Sequence, residues 1–139
     1  MTKLRIDFER DYGCSNWHTE RELRIRNGEK ALPYVPDARF QAADGQAWSL
    51  EVERTSKRAE RLRGLLDARA RASRSSKLLY ILDRRFFEHY RGLIAVTVNP
   101  GAFHLICFDD LVTVYVGADN WRAQSLSTVL LNKKGSLYV

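Results

Sequence analysis

Asp37, the pair Glu51 and Glu53, and Lys57 are the side chains in this chain best suited to chemistry. Carboxylates one residue apart on a strand project from the same face, and a hairpin can set a third opposite them. The intervening Ala43-Asp44-Gly45 suits a three-residue hairpin loop with glycine in the left-handed position. Counting back from that loop pairs Ala42 with Gln46, Phe40 with the neighbourhood of Trp48, and Asp37 with Glu51. One face then carries Asp37, Arg39, Gln41, Ser49, Glu51 and Glu53, and the other Pro36, Ala38, Phe40, Trp48, Leu50 and Val52. A two-residue loop would slip the register by one and mix the faces, so the pattern selects the three-residue loop.

In that register Asp37 and Glu51 are like charges directly opposite one another, which destabilises a sheet. A divalent cation reverses the sign. Hard Mg2+, or Mn2+ in its place, takes oxygen ligands and needs only one or two protein carboxylates beside water and phosphate oxygens. The plainer alternative is a solvated polar face whose acids pair with nearby arginines, since charged residues are mostly exposed.

The stretches Trp17-His18-Thr19-Glu20-Arg21-Glu22-Leu23-Arg24, Pro36-Asp37 and Glu51-Val52-Glu53-Arg54-Thr55-Ser56-Lys57 together resemble the PD-(D/E)xK nuclease superfamily. Within it they resemble the replication-relaxation type of domain associated with mobile elements and plasmids. The resemblance covers about the first half of the chain and implies a restriction-endonuclease-like α/β fold, a central mixed sheet flanked by helices. It implies that Asp37 and Glu51, joined by Glu20 from the first helix, hold Mg2+ or Mn2+ for cleavage of DNA. Where the superfamily carries lysine two residues past the first glutamate, this chain carries Glu53. Some active members have Glu there, and others move the lysine to the following helix, which makes Lys57 its counterpart here. Other relatives keep the fold with a degenerate site, so the alternative is a non-catalytic DNA-binding subunit of a replication, relaxation or mobilisation complex. Replication-relaxation domains follow a winged-helix DNA reader that this chain lacks, which implies a separate DNA-targeting protein or a homodimer.

The elements that must position these groups follow from capping and periodicity. Thr19-x-x-Glu22 is a capping box that opens a helix to about Asn27, closed by Gly28. Glu22 thereby has a structural task, leaving Glu20 as the metal candidate, although the helix dipole alone favours an acid in the first turn. Thr55 or Ser56 caps a long helix to about Arg74, with Ala59, Leu62, Leu65 and Leu66 as its apolar stripe. This helix carries Lys57, Arg58, Arg61, Arg63, Arg69, Arg71 and Arg74 against only Glu60 and Asp67. The imbalance points to phosphate contacts, with Lys57, Arg58, Arg61 and Arg69 as the DNA-binding set; a solvated face is the alternative. Residues 77–83 read as a strand covered on both faces, 84–91 as a short helix anchored by Phe86, Phe87 and Tyr90, and 94–98, 103–108 and 111–116 as further strands. Residues 3–9 suit an edge strand or a loose arm, and 125–131 either a helix or an edge strand before a basic turn at 132–135. The order makes a mixed α/β sandwich.

Length and composition accord with a single domain over residues 1–139: the chain is near the commonest domain size, and a hydrophobic fraction of 45% supports a real core. A formal charge of +6 favours a polyanionic partner. The early charges of Lys3, Arg5 and Asp7 do not resemble a signal peptide, and no run reaches membrane-spanning length, so the expectation is a soluble cytoplasmic protein with no membrane partner. Only two cysteines, Cys14 and Cys107, argue against a zinc site or disulfide framework. Cys107 suits a buried strand, and Cys14 a free thiol near the first helix. His18, His89 and His104 do not cluster, and neither a nucleophile elbow nor a Walker loop occurs.

Overall fold

Five consecutive apolar residues, Leu78 to Leu82, set the architecture. Leu78, Tyr80 and Leu82 face one side of their strand and Leu79 and Ile81 the other, each 1% exposed or less. Such a strand must lie inside a sheet that is covered on both faces. The computed structural model describes residues 2–26, 35–55, 58–73, 75–117 and 120–131. In it, strands β1 (Ser15–Thr19), β2 (Ala38–Gln41), β3 (Ala47–Glu53), β4 (Ser76–Leu82), β5 (Phe103–Cys107), β6 (Asp110–Val116) and β7 (Arg122–Ser125) form one seven-stranded sheet in chain order. The central β3, β4 and β5 are parallel, and the other neighbours pair antiparallel.

Parallel neighbours require crossovers. Helix α3 (Ala59–Ala72) joins β3 to β4, and α4 (Phe87–Ala95), after a 3-10 turn at Arg84–Phe86, joins β4 to β5. Both crossovers step the same way along the sheet, so right-handed connections put both helices on the same face. Leu62, Leu66, Ala70, Tyr90 and Ile94 accordingly pack on Leu78, Tyr80, Leu82, Phe103 and Leu105. Helices α1 (Thr2–Tyr12) and α5 (Leu126–Leu131) cover the other face through Phe8, Leu126 and Leu130, while α2 (Glu20–Arg26) follows β1. The expected mixed α/β sheet flanked by helices is present. Among the described residues no helix is long and apolar enough to cross a membrane.

The hairpin β2–β3 has the register expected from its loop. Phe40 pairs with Trp48 and Ala38 with Leu50, the Ala42 N–H donates to the Gln46 carbonyl at 2.9 Å, and Gly45 takes φ +86°. Its apolar face is stapled by aromatic rings across the strands: Trp17 stacks on Phe40 at 5.3 Å, Phe40 on Trp48 at 6.3 Å, and Trp48 meets His104 edge-on at 4.7 Å. Such pairs contribute about 0.5–1.5 kcal/mol each beyond their buried area. They lock the register on which the opposite, acidic face depends.

Several elements differ from expectation. Residues 3–9 belong to α1, not to an edge strand or arm: Leu4, Phe8 and Tyr12 recur at helical spacing, and Lys3–Asp7 and Arg5–Glu9 pair one turn apart. Trp17 and His18 lie on β1 and not on a helix, so α2 is the second helix and starts where Thr19 caps it, its hydroxyl accepting the Glu22 N–H at 3.3 Å. The expected end at Asn27 and Gly28 falls outside the described residues. Helix α3 starts at Ala59, later than Thr55 or Ser56, and α4 runs through Ile94 and Ala95, which were expected in a strand. Ile94 there anchors the helix against the sheet, which outweighs its β propensity. The stretch 125–131 resolves as the end of edge strand β7 followed by α5, and the basic turn at 132–135 lies outside the described residues.

Gly117, after β6, tests the packing of this end of the sheet. A Cβ there would collide with the Pro100 carbonyl and touch the Trp121 ring. Gly117→Ala is expected to cost about 1–3 kcal/mol, read as a melting temperature lowered by several degrees. An unchanged melting curve would show that the Pro100 turn yields freely.

Candidate active site

The hairpin register puts Asp37 across from Glu51, because the pairs Ala38–Leu50 and Arg39–Ser49 continue outward to them. Asp37 is fixed twice. Its carboxylate accepts the Val52 N–H at 2.8 Å, and its backbone carbonyl accepts the Glu20 N–H at 2.9 Å, which seats the start of α2 beside it. The sequence-derived trio Glu20, Asp37 and Glu51 therefore comes from three elements that meet at one end of the hairpin.

The acidic face is buried at Glu51 and Glu53, not solvated as in the plainer reading, although the pairing of acids with arginines that the same reading expected is present at Glu51–Arg69 and Glu20–Arg24. Glu51 and Glu53 are 4% and 6% exposed, on the side of β3 that α3 covers, with Tyr80 and Leu82 beside them on β4. Buried carboxylates require compensation. It comes from Arg69, itself 8% exposed, whose Nη2 lies 3.6 Å from Glu51 Oε2 and whose Nη1 donates to the Tyr80 hydroxyl. Arg69 was expected among the outward phosphate contacts; it lies instead on the buried stripe of α3, with Leu62, Leu66 and Ala70. The signal was in the sequence, since Leu62, Leu66 and Arg69 recur at four- and three-residue spacing on one helical face. Tyr80 and Tyr90, apolar anchors by pattern, also reach this cluster.

Electrostatics tie the groups together. The Asp37 carboxyl is held above its ordinary range, first by burial and then by the charges of Glu20 and Glu53, against the Val52 N–H and Arg69, which pull it down. The Tyr80 and Tyr90 hydroxyls are both raised, chiefly by burial, with Glu51 and Glu53 adding to it and Arg69 opposing it. The Tyr90 and Ser49 hydroxyls are buried without a hydrogen-bond partner among the described residues. The cluster is acid-rich at its open edge, where Asp37 is half-buried, and neutralised at its closed end by Arg69.

The remaining candidates are placed as follows. Glu20 binds Arg24 at 2.9 Å on the surface of α2. Lys57 lies outside the described residues. Arg58 and Arg61 are exposed at the start of α3 and, with Arg63 and Arg71, form no ion pair among the described residues. No three His, Cys, Asp or Glu side chains among the described residues form a ready-made group that could hold a metal ion, because Glu51 is turned to Arg69. His18 contacts Glu22 at 3.4 Å, and His104 is buried against the Ala102 carbonyl. Cys14 is buried, its thiol pushed up to about 12 chiefly by burial, so it is no nucleophile.

Comparison of the chain with protein-family models, curated proteins and solved structures finds no match. The site's chemistry therefore rests on its own residues, and two measurements check its geometry. Removing Arg69 takes from the buried Glu51 its ion-pair partner, so Arg69→Met is expected to cost about 3–5 kcal/mol in urea unfolding, with much of it recovered in Arg69→Met/Glu51→Gln. Additive losses would mean that the pair does not interact. Asp37, with its folded pKa above the ordinary 3.8, binds its proton more tightly in the fold, so it costs stability as pH rises through that window. Asp37→Asn keeps an acceptor for Val52 and should match or exceed the wild-type melting temperature at pH 7, the advantage vanishing below about pH 3.8. A variant destabilised at pH 7 would show Asp37 to be a net stabilising charge.

Proposed function

We propose that this chain is a metal-dependent DNA phosphodiesterase acting at the end of the β2–β3 hairpin, as the PD-(D/E)xK resemblance implies. The observation that carries the reading is Asp37 at the hairpin end, bonded to the Val52 N–H between Glu51 and Glu53, with the start of α2 at Glu20 seated alongside, before a helix whose Arg58, Arg61, Arg63 and Arg71 form no ion pair among the described residues. The donors suit a hard divalent cation: all are carboxylate oxygens, and Asp37, raised first by burial, also feels the charges of Glu20 and Glu53. Asp37, at the open edge, would hold Mg2+ or Mn2+ together with water and phosphate oxygens, with the charges of Glu20 and Glu53 nearby. When bound, the ion supplies polarisation of the phosphate and a water of lowered pKa. Glu51, held by Arg69, fixes the floor of the site and leaves the metal shell to its neighbours. Arg58 and Arg61 bind the DNA backbone, and Lys57, just before α3, neutralises charge at the phosphate. A cytoplasmic protein of a mobile-element or plasmid system, working with a DNA-targeting partner or as a homodimer, fits this chemistry.

The burial of Glu51 against Arg69 favours a second reading, a non-catalytic DNA-binding subunit on the same fold. One set of proteins separates the two. Wild type is expected to cut DNA only with Mg2+ or Mn2+, and Asp37→Asn to lose at least a hundredfold of that rate while still binding DNA. Arg58→Gln and Arg61→Gln should each flatten the log-log salt dependence of duplex binding by about one unit. Salt-dependent binding without cleavage of duplex, single-stranded or branched DNA would leave the binding subunit standing. Unchanged salt slopes would remove α3 from the interface under either reading.

A further inference from the structure

A second concavity lies on the α4 side of the sheet. It is a cleft of about 340 Å³ lined by Arg84, Phe87, Glu88, Arg91, Tyr115 and Trp121. Phe87 and Tyr115 meet edge to face at 4.8 Å. Arg84 is held by Asp109 through two parallel hydrogen bonds, from Nε at 2.9 Å and Nη2 at 3.1 Å, which fix its guanidinium. Arg91 contacts Glu88 only at 3.5 Å, an exposed pair of the kind that contributes little and exchanges readily for another anion.

The backbone holds the third ring in place at a cost. Asn120 and Trp121 take φ +58° and +63°, a region where asparagine is tolerated but a bulky aromatic is a true outlier. The Trp121 N–H is tied to the Val116 carbonyl at 3.1 Å, and its ring lies within van der Waals reach of Gly117. The fold thus keeps a strained conformation that leaves this indole partly exposed at a cleft.

We infer that this cleft is a stacking site for an unpaired base of single-stranded DNA, with Arg91 released from Glu88 to meet the adjoining phosphate. Aromatic faces and a fixed guanidinium plane suit a flat heterocycle, and stacking tolerates any base. Helix α4 joins the cleft to the acidic cluster: Tyr90 turns inward to the charges of Glu53 and Glu51, while Phe87 and Arg91, three residues before and one after it, line the cleft. The inference rests on the nucleic-acid reading but not on cleavage. It assigns the substrate an unpaired segment beside the site.

Tryptophan fluorescence tests it in metal-free buffer. Trp17 and Trp48 are 4% and 1% exposed, so quenching by a bound base reports Trp121. A short oligothymidylate is expected to quench saturably and to bind about tenfold less tightly to Trp121→Ala, with Trp121→Phe close to wild type and duplex binding unchanged. Should Trp121→Ala fail to fold, Arg91→Gln, altered only at an exposed side chain, is expected to bind the oligomer severalfold more weakly. Oligomer binding unaffected by these variants, with duplex binding still dependent on Arg58 and Arg61, would overturn the cleft alone. Absence of binding to either DNA form would overturn both the cleft and the nucleic-acid reading. Trp121-dependent binding without Mg2+-dependent cleavage would uphold the cleft and remove the nuclease.

Discussion

Two carboxylates, Glu51 and Glu53, point from an inner strand of the sheet into the layer beneath α3, where water does not follow them. A charge in that position is costly unless it is paired, and Arg69 is the buried cation that meets it. This pairing constrains the molecule in both directions. It fixes the rotation of α3 about its axis, because the face that buries Leu62 and Leu66 must also deliver Arg69 to Glu51. It also turns Arg61, Arg63 and Arg71 of α3 outward, where they form no ion pair among the described residues.

The same constraint divides the acids by role. Glu51 is committed to Arg69, and Tyr80 takes the other side of the guanidinium. Asp37, just before β2, receives a backbone N–H and the more distant charge of Arg69 among the described residues, and it feels Glu20 and Glu53 as repulsion. Negative potential therefore collects at the hairpin end and not in the protein interior. A buried ion pair is a poor source of stability compared with apolar residues of the same shape. Acids placed so are more readily understood through the surface potential they create than through the fold they occupy.

The hairpin was legible in the sequence because its signals were local and agreed. Gly45 marked the loop, and alternation from Pro36 to Glu53 admitted one register. The sheet core around Leu78–Leu82 was legible for the same reason. What the sequence hid was whatever depended on a distant partner. A polar face reads as solvated until a helix covers it, so Ser49, Glu51 and Glu53 looked exposed. Arg69 read as one base among many, although its spacing from Leu62 and Leu66 placed it inward. The α1 helix was missed because its short apolar stripe, Leu4, Phe8 and Tyr12, gains its meaning only from the aromatic cluster it covers. Ile94 misled in the opposite direction, its β-branched character outweighed by a helical anchor point.

The two faces of the sheet are consequently unequal in kind. Aromatic stacking from Trp17 through Phe40 and Trp48 to His104 makes the α1/α5 face a rigid, almost wholly apolar support. The α3/α4 face carries the buried acids, the arginine, the unpartnered Tyr90 and Ser49 hydroxyls and the aromatic cleft. Buried polar atoms without a hydrogen-bond partner among the described residues occur on both faces, the Tyr90 and Ser49 hydroxyls on this one and the Trp17 and Trp48 indole nitrogens on the other, and the packing around them fixes the register that both faces share. The buried acids and their arginine thus lie beneath α3, whose N-cap and outer surface carry Arg58, Arg61, Arg63 and Arg71, so one helix joins a neutralised interior to a basic exterior.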